Sequence, residues 1–342
     1  MGEMRLDPTT QTWVLVGEGR ARGGRSCPRH CPFCPGGESR TPAELDSVGE
    51  GDWTARVISD ASPVFHRDVE YGRSAVGFFD RMNSRGAHEI VIESRDHGKT
   101  MAALRPDEVG AALELYRRRT AVHKKDRRIR YVLIFKNQGR RAGSYIEHAH
   151  SHILGSPVIP VRLQQELRWA RRHFEKKERC LFCDVMKEEL RQKARIAASN
   201  DAFVAFCPYA SRRPFEVWIF PRDHRCDFEN HMAEDGVAQL FADMLLSMAG
   251  AVEAVIPDYQ MVFHNSPNKD AHYPPMSRWE TLAWDFHWHV EILPVPAGYD
   301  VVRKEEEFYI NPLLPEDVAA VLRGEADASR LLGGRGERSC GG

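Results

Sequence analysis

The run Glu147-His148-Ala149-His150-Ser151-His152 places three histidines at alternate positions, just before Ile153-Leu154-Gly155. On an extended strand, residues two apart project from one face, so His148, His150 and His152 are expected to stand side by side. Three adjacent imidazoles repel one another when all are protonated. At least one is therefore neutral near pH 7 and able to serve as a nucleophile, a base or a metal ligand. A solvated histidine-rich tract is the bland alternative, and the cysteine and histidine pattern elsewhere in the chain weighs against it.

That pattern begins with two C-x-x-C pairs, Cys31/Cys34 and Cys180/Cys183, while Cys27, Cys207, Cys226 and Cys340 are scattered. In a reducing compartment such pairs more often hold metal than form disulfides. A redox pair would open a helix after a strand, whereas Cys31-Pro32-Phe33-Cys34-Pro35-Gly36 reads as a turn. Each pair is followed by a strand ending in Arg-Asp-His, at His97 and at His224, and then by a His-x-His strand. Two thiolates and two imidazoles suit tetrahedral zinc. The expected sites are Cys31, Cys34, His97 and His148, and Cys180, Cys183, His224 and His287. Four protein ligands leave no open position, so both zincs are structural. His150 then stands unligated beside His148. An imidazole attacks phosphorus well at neutral pH when a backbone carbonyl holds its other nitrogen. His152 would follow as hydrogen-bond donor or proton carrier.

The elements that must position these residues occur twice. Trp53–Ile58, His88–Glu93, Tyr131–Phe135 and His148–Ile153 read as strands, with a helix from Pro106 to Arg119 and a turn at Lys136-Asn137-Gln138-Gly139. Cys180-Leu181-Phe182-Cys183 answers Cys31–Cys34, and Phe215–His224 answers His88–His97. A helix from Ala233 to Val255 answers the one from Pro106. Tyr259–Asn265 answers Tyr131–Asn137, and His287–Ile292 answers His148–Ile153. These parallels mark an internal duplication of about 130 to 150 residues per half. The expected halves are 1–160, with the catalytic histidine, and 161–323, with a disordered tail over 324–342. In the second half His289 is followed by Glu291 and no third histidine, so that half is expected to supply structure and substrate contacts. A helix is also expected over Val161–Lys176, and a short one over Pro315–Leu322.

Length and charge bound the class. The chain has 342 residues and a formal net charge of -1, which argues against a nucleic-acid-coating or disordered protein. Neither a signal peptide nor a bilayer-spanning run is visible, so a soluble cytoplasmic protein is expected. The basic loop Gly19–Arg25 suits phosphate contact or simple solvation equally well.

The combination of Arg5-Leu6-Asp7-Pro8 with Trp13-Val14, Cys31-Pro32-Phe33-Cys34-Pro35-Gly36, Gly86-Ala87-His88-Glu89 with Asp96-His97, Phe135–Gly139 and His148-Ala149-His150 carries a resemblance. The chain resembles the galactose-1-phosphate uridylyltransferase family, the duplicated branch of the histidine-triad superfamily that includes ADP-glucose and dinucleoside-polyphosphate phosphorylases. The resemblance implies an α+β fold of two histidine-triad-like halves, whose antiparallel sheets join into a half-barrel with flanking helices. It implies ping-pong nucleotidyl transfer, with His150 attacking the α-phosphate of UDP-glucose and galactose 1-phosphate then taking the uridylyl group. The alternative is hydrolysis or phosphorolysis of nucleotide sugars or dinucleoside polyphosphates. Asn137 would contact nucleotide phosphate, with Arg20 and Asp60 along the nucleotide pocket. The second metal could be iron, and a homodimer is expected. Three positions depart from the family pattern. His152 stands where the transferases carry glutamine, Tyr145 where serine is usual, and Ser59-Asp60 replaces an asparagine-led pair.

Overall fold

The computed structural model describes residues 2–17, 31–272, 279–296 and 309–332. The first half supplies β1 (Glu3–Asp7), β2 (Thr12–Val16), β3 (Glu44–Val48), β4 (Ala55–Ser59), β5 (Ser74–Val76), β6 (Phe79–Asn83), β7 (Ala87–His97), helix α1 (Pro106–Lys124), β8 (Tyr131–Gln138) and β9 (His148–Ser156). The second supplies α2 (Val161–Lys177), α3 (Leu181–Gln192), β10 (Ile196–Ser199), β11 (Phe203–Phe206), β12 (Val217–Pro221), α4 (Phe228–His231), α5 (Val237–Glu253), β13 (Tyr259–His264), α6 (Leu282–Asp285) and β14 (His289–Pro294). The helix Pro315–Leu322 forms where the sequence places it. Beyond it Ala328–Leu332 is a short helix, which corrects part of the expected disordered tail; residues 333–342 lie outside the described residues. Among the described residues no helix is long and apolar enough to cross a membrane.

Ten strands form one antiparallel sheet in the order β10-β11-β12-β14-β13-β8-β9-β7-β4-β3. Each half contributes five, and the seam is β8 against β13, with Gln138 opposite Tyr259 and Phe135 opposite Val262. This is the joined, duplicated α+β architecture expected from the sequence. The seam also explains why β8 runs through Gln138 instead of turning at Lys136: the second half offers those residues a ladder of hydrogen bonds. The turn comes at Gly139, whose φ of +80° favours glycine. β1, β2, β5 and β6 form a separate four-stranded sheet.

Strand register corrects correspondences between the halves, the first of them at β13. Phe135 lies opposite His152, and Val262 opposite Glu291. Asn137 is therefore matched by His264, one residue earlier than the match to Asn265 that sequence comparison gives. A one-residue slip sends every side chain to the other face, and the buried apolar Met261 and Phe263 select this register.

The sheet has a helix face and a site face. On the helix face α1 packs on β4, β7, β8 and β9, and α5 packs on β10 and β11. Tyr116 of α1 meets Phe263 of β13 edge-on at 5.5 Å, so the core is continuous across the seam. Burial of a phenylalanine of this kind is worth about 1.5–3 kcal/mol. Helix α1 begins at Pro106, and Glu108 accepts the Arg105 backbone N–H at 2.8 Å. The site face carries Ile90, Ile92, Phe135 and the β9 histidines.

Candidate active site and metal centres

β7 and β9 pair so that His97 lies opposite His148, and the turn Cys31–Cys34 closes over them. Nδ1 of His148 is 3.7 Å from Cys31 Sγ and 3.6 Å from Cys34 Sγ, while Nδ1 of His97 is 3.5 Å from Cys34 Sγ. In the second half Cys183 Sγ is 3.2 Å from Nδ1 of His224 and 3.4 Å from Nδ1 of His287. In each set all four candidate ligand atoms lie within 4.8 Å of one another. A zinc tetrahedron built from its usual bond lengths has S···N edges of about 3.6 Å. Both sets fit a metal.

The hydrogen bonds behind the ligands agree. His148 Nε2–H donates to the Ser94 carbonyl at 2.7 Å, and His224 Nε2–H to the Ala283 carbonyl at 2.9 Å. Each leaves an Nδ1 lone pair facing sulfur, the tautomer a metal requires. Without a cation, burial and the neighbouring Cys31 push the Cys34 thiol up to about 11, so a cation is what would hold the pair as thiolates. The two pairs differ in local structure. Cys31 and Cys34 sit on a turn, whereas Cys180 and Cys183 open α3, which follows another helix and not a strand.

His150 is the middle histidine. It is buried, and its Nδ1–H donates to the carbonyl of His148 at 2.6 Å, leaving Nε2 with the lone pair. Burial pushes His150 down to about 4, so the ring is neutral near pH 7. Phe33 approaches it edge-on at 5.5 Å. Behind the strand a buried network sets the backbone: Lys136 donates to the His150 carbonyl at 3.1 Å and to Glu93 at 2.6 Å. Tyr116 joins Glu93 and Ser151, each at 2.7 Å. None of the three side chains Glu93, Lys136 and Tyr116 was given a role by sequence, because Glu93 and Tyr116 read as ordinary strand and helix residues and Lys136 as the start of a turn.

A cleft of about 230 Å³ opens beside His150 and is lined by Thr100, Asn137, Arg140, Ser144 and Glu147. Asn137 thus lines the same cleft as His150. Ser144 lines the cleft and its hydroxyl donates to the Ile146 carbonyl at 3.1 Å, while Tyr145 is exposed. Larger cavities, of about 600, 430 and 410 Å³, lie at the small sheet, beside Arg85 and beside Arg130, and none of the three includes a β9 histidine. Arg20 lies outside the described residues. Asp60 lies against His88, its Oδ2 3.2 Å from His88 Nε2, and is not among the residues lining the cleft at His150. His88 in turn meets His152, its Nε2 3.1 Å from His152 Nδ1. In the sequence His88 stands in the Gly86-Ala87-His88-Glu89 motif with nothing to assign it a role. Only the register, with Ile90 opposite His152, shows the contact.

In the second half the equivalent of the cleft is closed. His289 is fully buried and stacked on Phe220 at 4.7 Å, with Phe182 at 5.2 Å. His264 pairs with Glu166 at 2.8 Å, and Arg212 bridges Glu216 and Glu291 at 2.7 and 2.6 Å. Glu166, His264, His289 and Glu291 also gather ligand atoms within 4.8 Å, as do Asp60, His88 and His152.

Known proteins share this fold. The family described as galactose-1-phosphate uridyl transferase, N-terminal domain, matches residues 29–160. An ADP-glucose phosphorylase of Arabidopsis thaliana is 31% identical over 94% of this chain and 92% of its own. A galactose-1-phosphate uridylyltransferase of Thermotoga maritima is 26% identical over 94% of this chain and 98% of its own. The crystal structure of an Arabidopsis thaliana ADP-glucose phosphorylase with bound ADP-glucose superposes with a TM-score of 0.75 at 30% identity, covering 96% of this chain and 100% of that one. Fold and relatives together define an enzyme of the nucleotidyltransferase type. Within that class the chain belongs to the galactose-1-phosphate uridylyltransferase family.

Proposed function

We propose that the protein transfers a nucleotidyl group from a nucleotide sugar to a sugar phosphate through a covalent adduct on His150, with UDP-glucose as donor and a hexose 1-phosphate as acceptor. The observation that carries this reading is the 2.6 Å hydrogen bond from His150 Nδ1–H to the His148 carbonyl in a neutral, buried ring. It leaves the Nε2 lone pair to attack the α-phosphorus. An N–P bond forms, the P–O bond to the sugar phosphate breaks, and the sugar 1-phosphate leaves. As the N–P bond forms, the imidazole gains positive charge, and the fixed carbonyl stabilises the Nδ1–H that remains. The acceptor's phosphate oxygen then attacks phosphorus and the N–P bond breaks, regenerating neutral His150. Asn137 and Ser144 bind phosphate oxygens in the cleft.

Cys31, Cys34, His97 and His148 would hold one zinc, and Cys180, Cys183, His224 and His287 a second metal, zinc or iron. Each is a structural cross-link when bound. The first ties the Cys31–Cys34 turn to the strand that presents His150.

A second reading, phosphorolysis of ADP-glucose, is favoured by the 31% identity to the plant phosphorylase. It uses the same His150 adduct and differs in base and acceptor. Intact-protein mass after incubation with UDP-glucose or ADP-glucose separates the two. A uridylyl adduct absent from His150→Gly and discharged by galactose 1-phosphate supports the first reading. An adenylyl adduct discharged by inorganic phosphate supports the second. No adduct with either donor overturns both.

A further inference from the structure

His88 is buried on β7, and the Val64 backbone N–H donates to its Nδ1 at 3.3 Å. A ring nitrogen that accepts has no proton, so the proton of neutral His88 is on Nε2. That Nε2–H faces two groups, His152 Nδ1 at 3.1 Å and Asp60 Oδ2 at 3.2 Å. Two N–H groups do not face each other at this distance, so His152 Nδ1 is the lone-pair side and its proton is on Nε2. Phe135 stacks on the His152 ring at 4.9 Å and 16°, which holds its plane. His150 stands beside it at 5.2 Å between ring centroids.

The geometry points to His88 as a positioning residue that holds the proton of His152 on Nε2, making His152 a hydrogen-bond donor beside His150 with no lone pair left to take a proton from water. A histidine in this tautomer presents the same N–H that a glutamine amide would. The inference bears on transfer against hydrolysis, and in that respect it rests on the proposed function; the tautomer itself does not. The second half gives a contrast. Glu216 occupies the place of His88, one residue after the Phe215 that sequence comparison gives, because Trp218 lies opposite Glu291 as Ile90 lies opposite His152. There the contact is an ion pair through Arg212, which occupies both carboxylates.

The same three side chains form a two-histidine, one-carboxylate set of the kind that binds metals. A metal on His88 Nε2 would require the proton on Nδ1, where the Val64 N–H already points. The Val64 contact therefore fits the hydrogen-bonded arrangement and not a metal on His88 Nε2.

The test uses full-length protein with ring-15N histidine, the His152 signals being identified by their loss in His152→Gln. In the wild type a protonated Nε2 and an unprotonated Nδ1 are expected. In His88→Phe the two tautomers should mix, and the share of the adduct discharged by water, relative to the phosphate acceptor, should rise about tenfold. His88→Gln should restore that share to within about threefold, since its amide N–H donates to His152 and its carbonyl accepts from Val64. A wild-type His152 proton on Nδ1 overturns the inference. So does a His88→Phe protein with unchanged tautomer and unchanged partition, or a third metal equivalent that His88→Phe loses. If His88→Phe does not fold, the wild-type tautomer and His88→Gln decide. If no adduct forms on any protein, the proposed function fails while the tautomer measurement still judges His88.

Discussion

At the scale of residues, the β9 histidines divide by what holds their second nitrogen. His148 gives Nε2–H to Ser94 and turns Nδ1 to the thiols; His150 gives Nδ1–H to the His148 carbonyl two residues back on its own strand and keeps the lone pair on Nε2. The alternation was legible in the sequence, since small residues at Ala149 and Ser151 can separate the rings only on a strand. What each nitrogen touches was not, because Ser94, Val64 and Asp60 reach β9 through pairing across β7. A pH prediction follows from burial. With His150 pushed down to about 4, adduct formation should be level from pH 8 to about pH 5 and fall by half near pH 4, well below the usual imidazole value. A metal on His148 would push in the same direction. The sign for stability agrees: between about 6.5 and 4 the unfolded state binds the proton and the folded state does not, so stability falls as pH falls through that window. Single-turnover adduct formation against pH, followed by mass, checks this; an acid limb near pH 6.5 would refute it.

At the scale of elements, the helix face of the strands carries buried charge in pairs. Lys136 and Glu93 are both about 1% exposed and meet at 2.6 Å. Burial raises the Glu93 carboxyl, and the Lys136 charge with its hydrogen bond more than offsets this. A buried pair of this kind is weak evidence for net stability, but breaking it leaves a charge without a partner. Lys136→Met should therefore cost about 3–5 kcal/mol in urea unfolding. It should also slow adduct formation by a larger factor than it changes substrate affinity, because Lys136 holds the His150 carbonyl. A loss under about 1 kcal/mol would mean that Glu93 takes up a proton or water at little cost. Sequence pattern could not find this pair. A lysine at a turn and a glutamate on a strand read as solvent-facing, and only α1 covering both of them makes them core.

At the scale of the whole molecule, duplication gave two histidine strands and the fold uses them differently. The repeat itself was legible from the two cysteine pairs and the two Arg-Asp-His runs. The slip of one residue at β13 was not, because Tyr259 and Tyr131 invite alignment and the seam decides otherwise. That slip puts His264 where Asn137 stands in the first half, and Glu166 pairs with it. His289 repeats the backbone geometry of His150, with Nδ1 3.1 Å from the His287 carbonyl, and burial pushes it to about 4 as well. Local chemistry alone would make it a second nucleophile. Access decides the matter: His289 is 0% exposed and stacks on Phe220 with an interplanar angle of 1°, so no phosphate reaches its Nε2. One nucleotidyl group per chain is the expected stoichiometry, lost in His150→Gly and unaffected in number by His289→Asn, which should instead lower the melting temperature. Peptide mapping of the trapped adduct would locate it. A second adduct on His289 would show that the aromatic cover opens in solution and that both halves are catalytic.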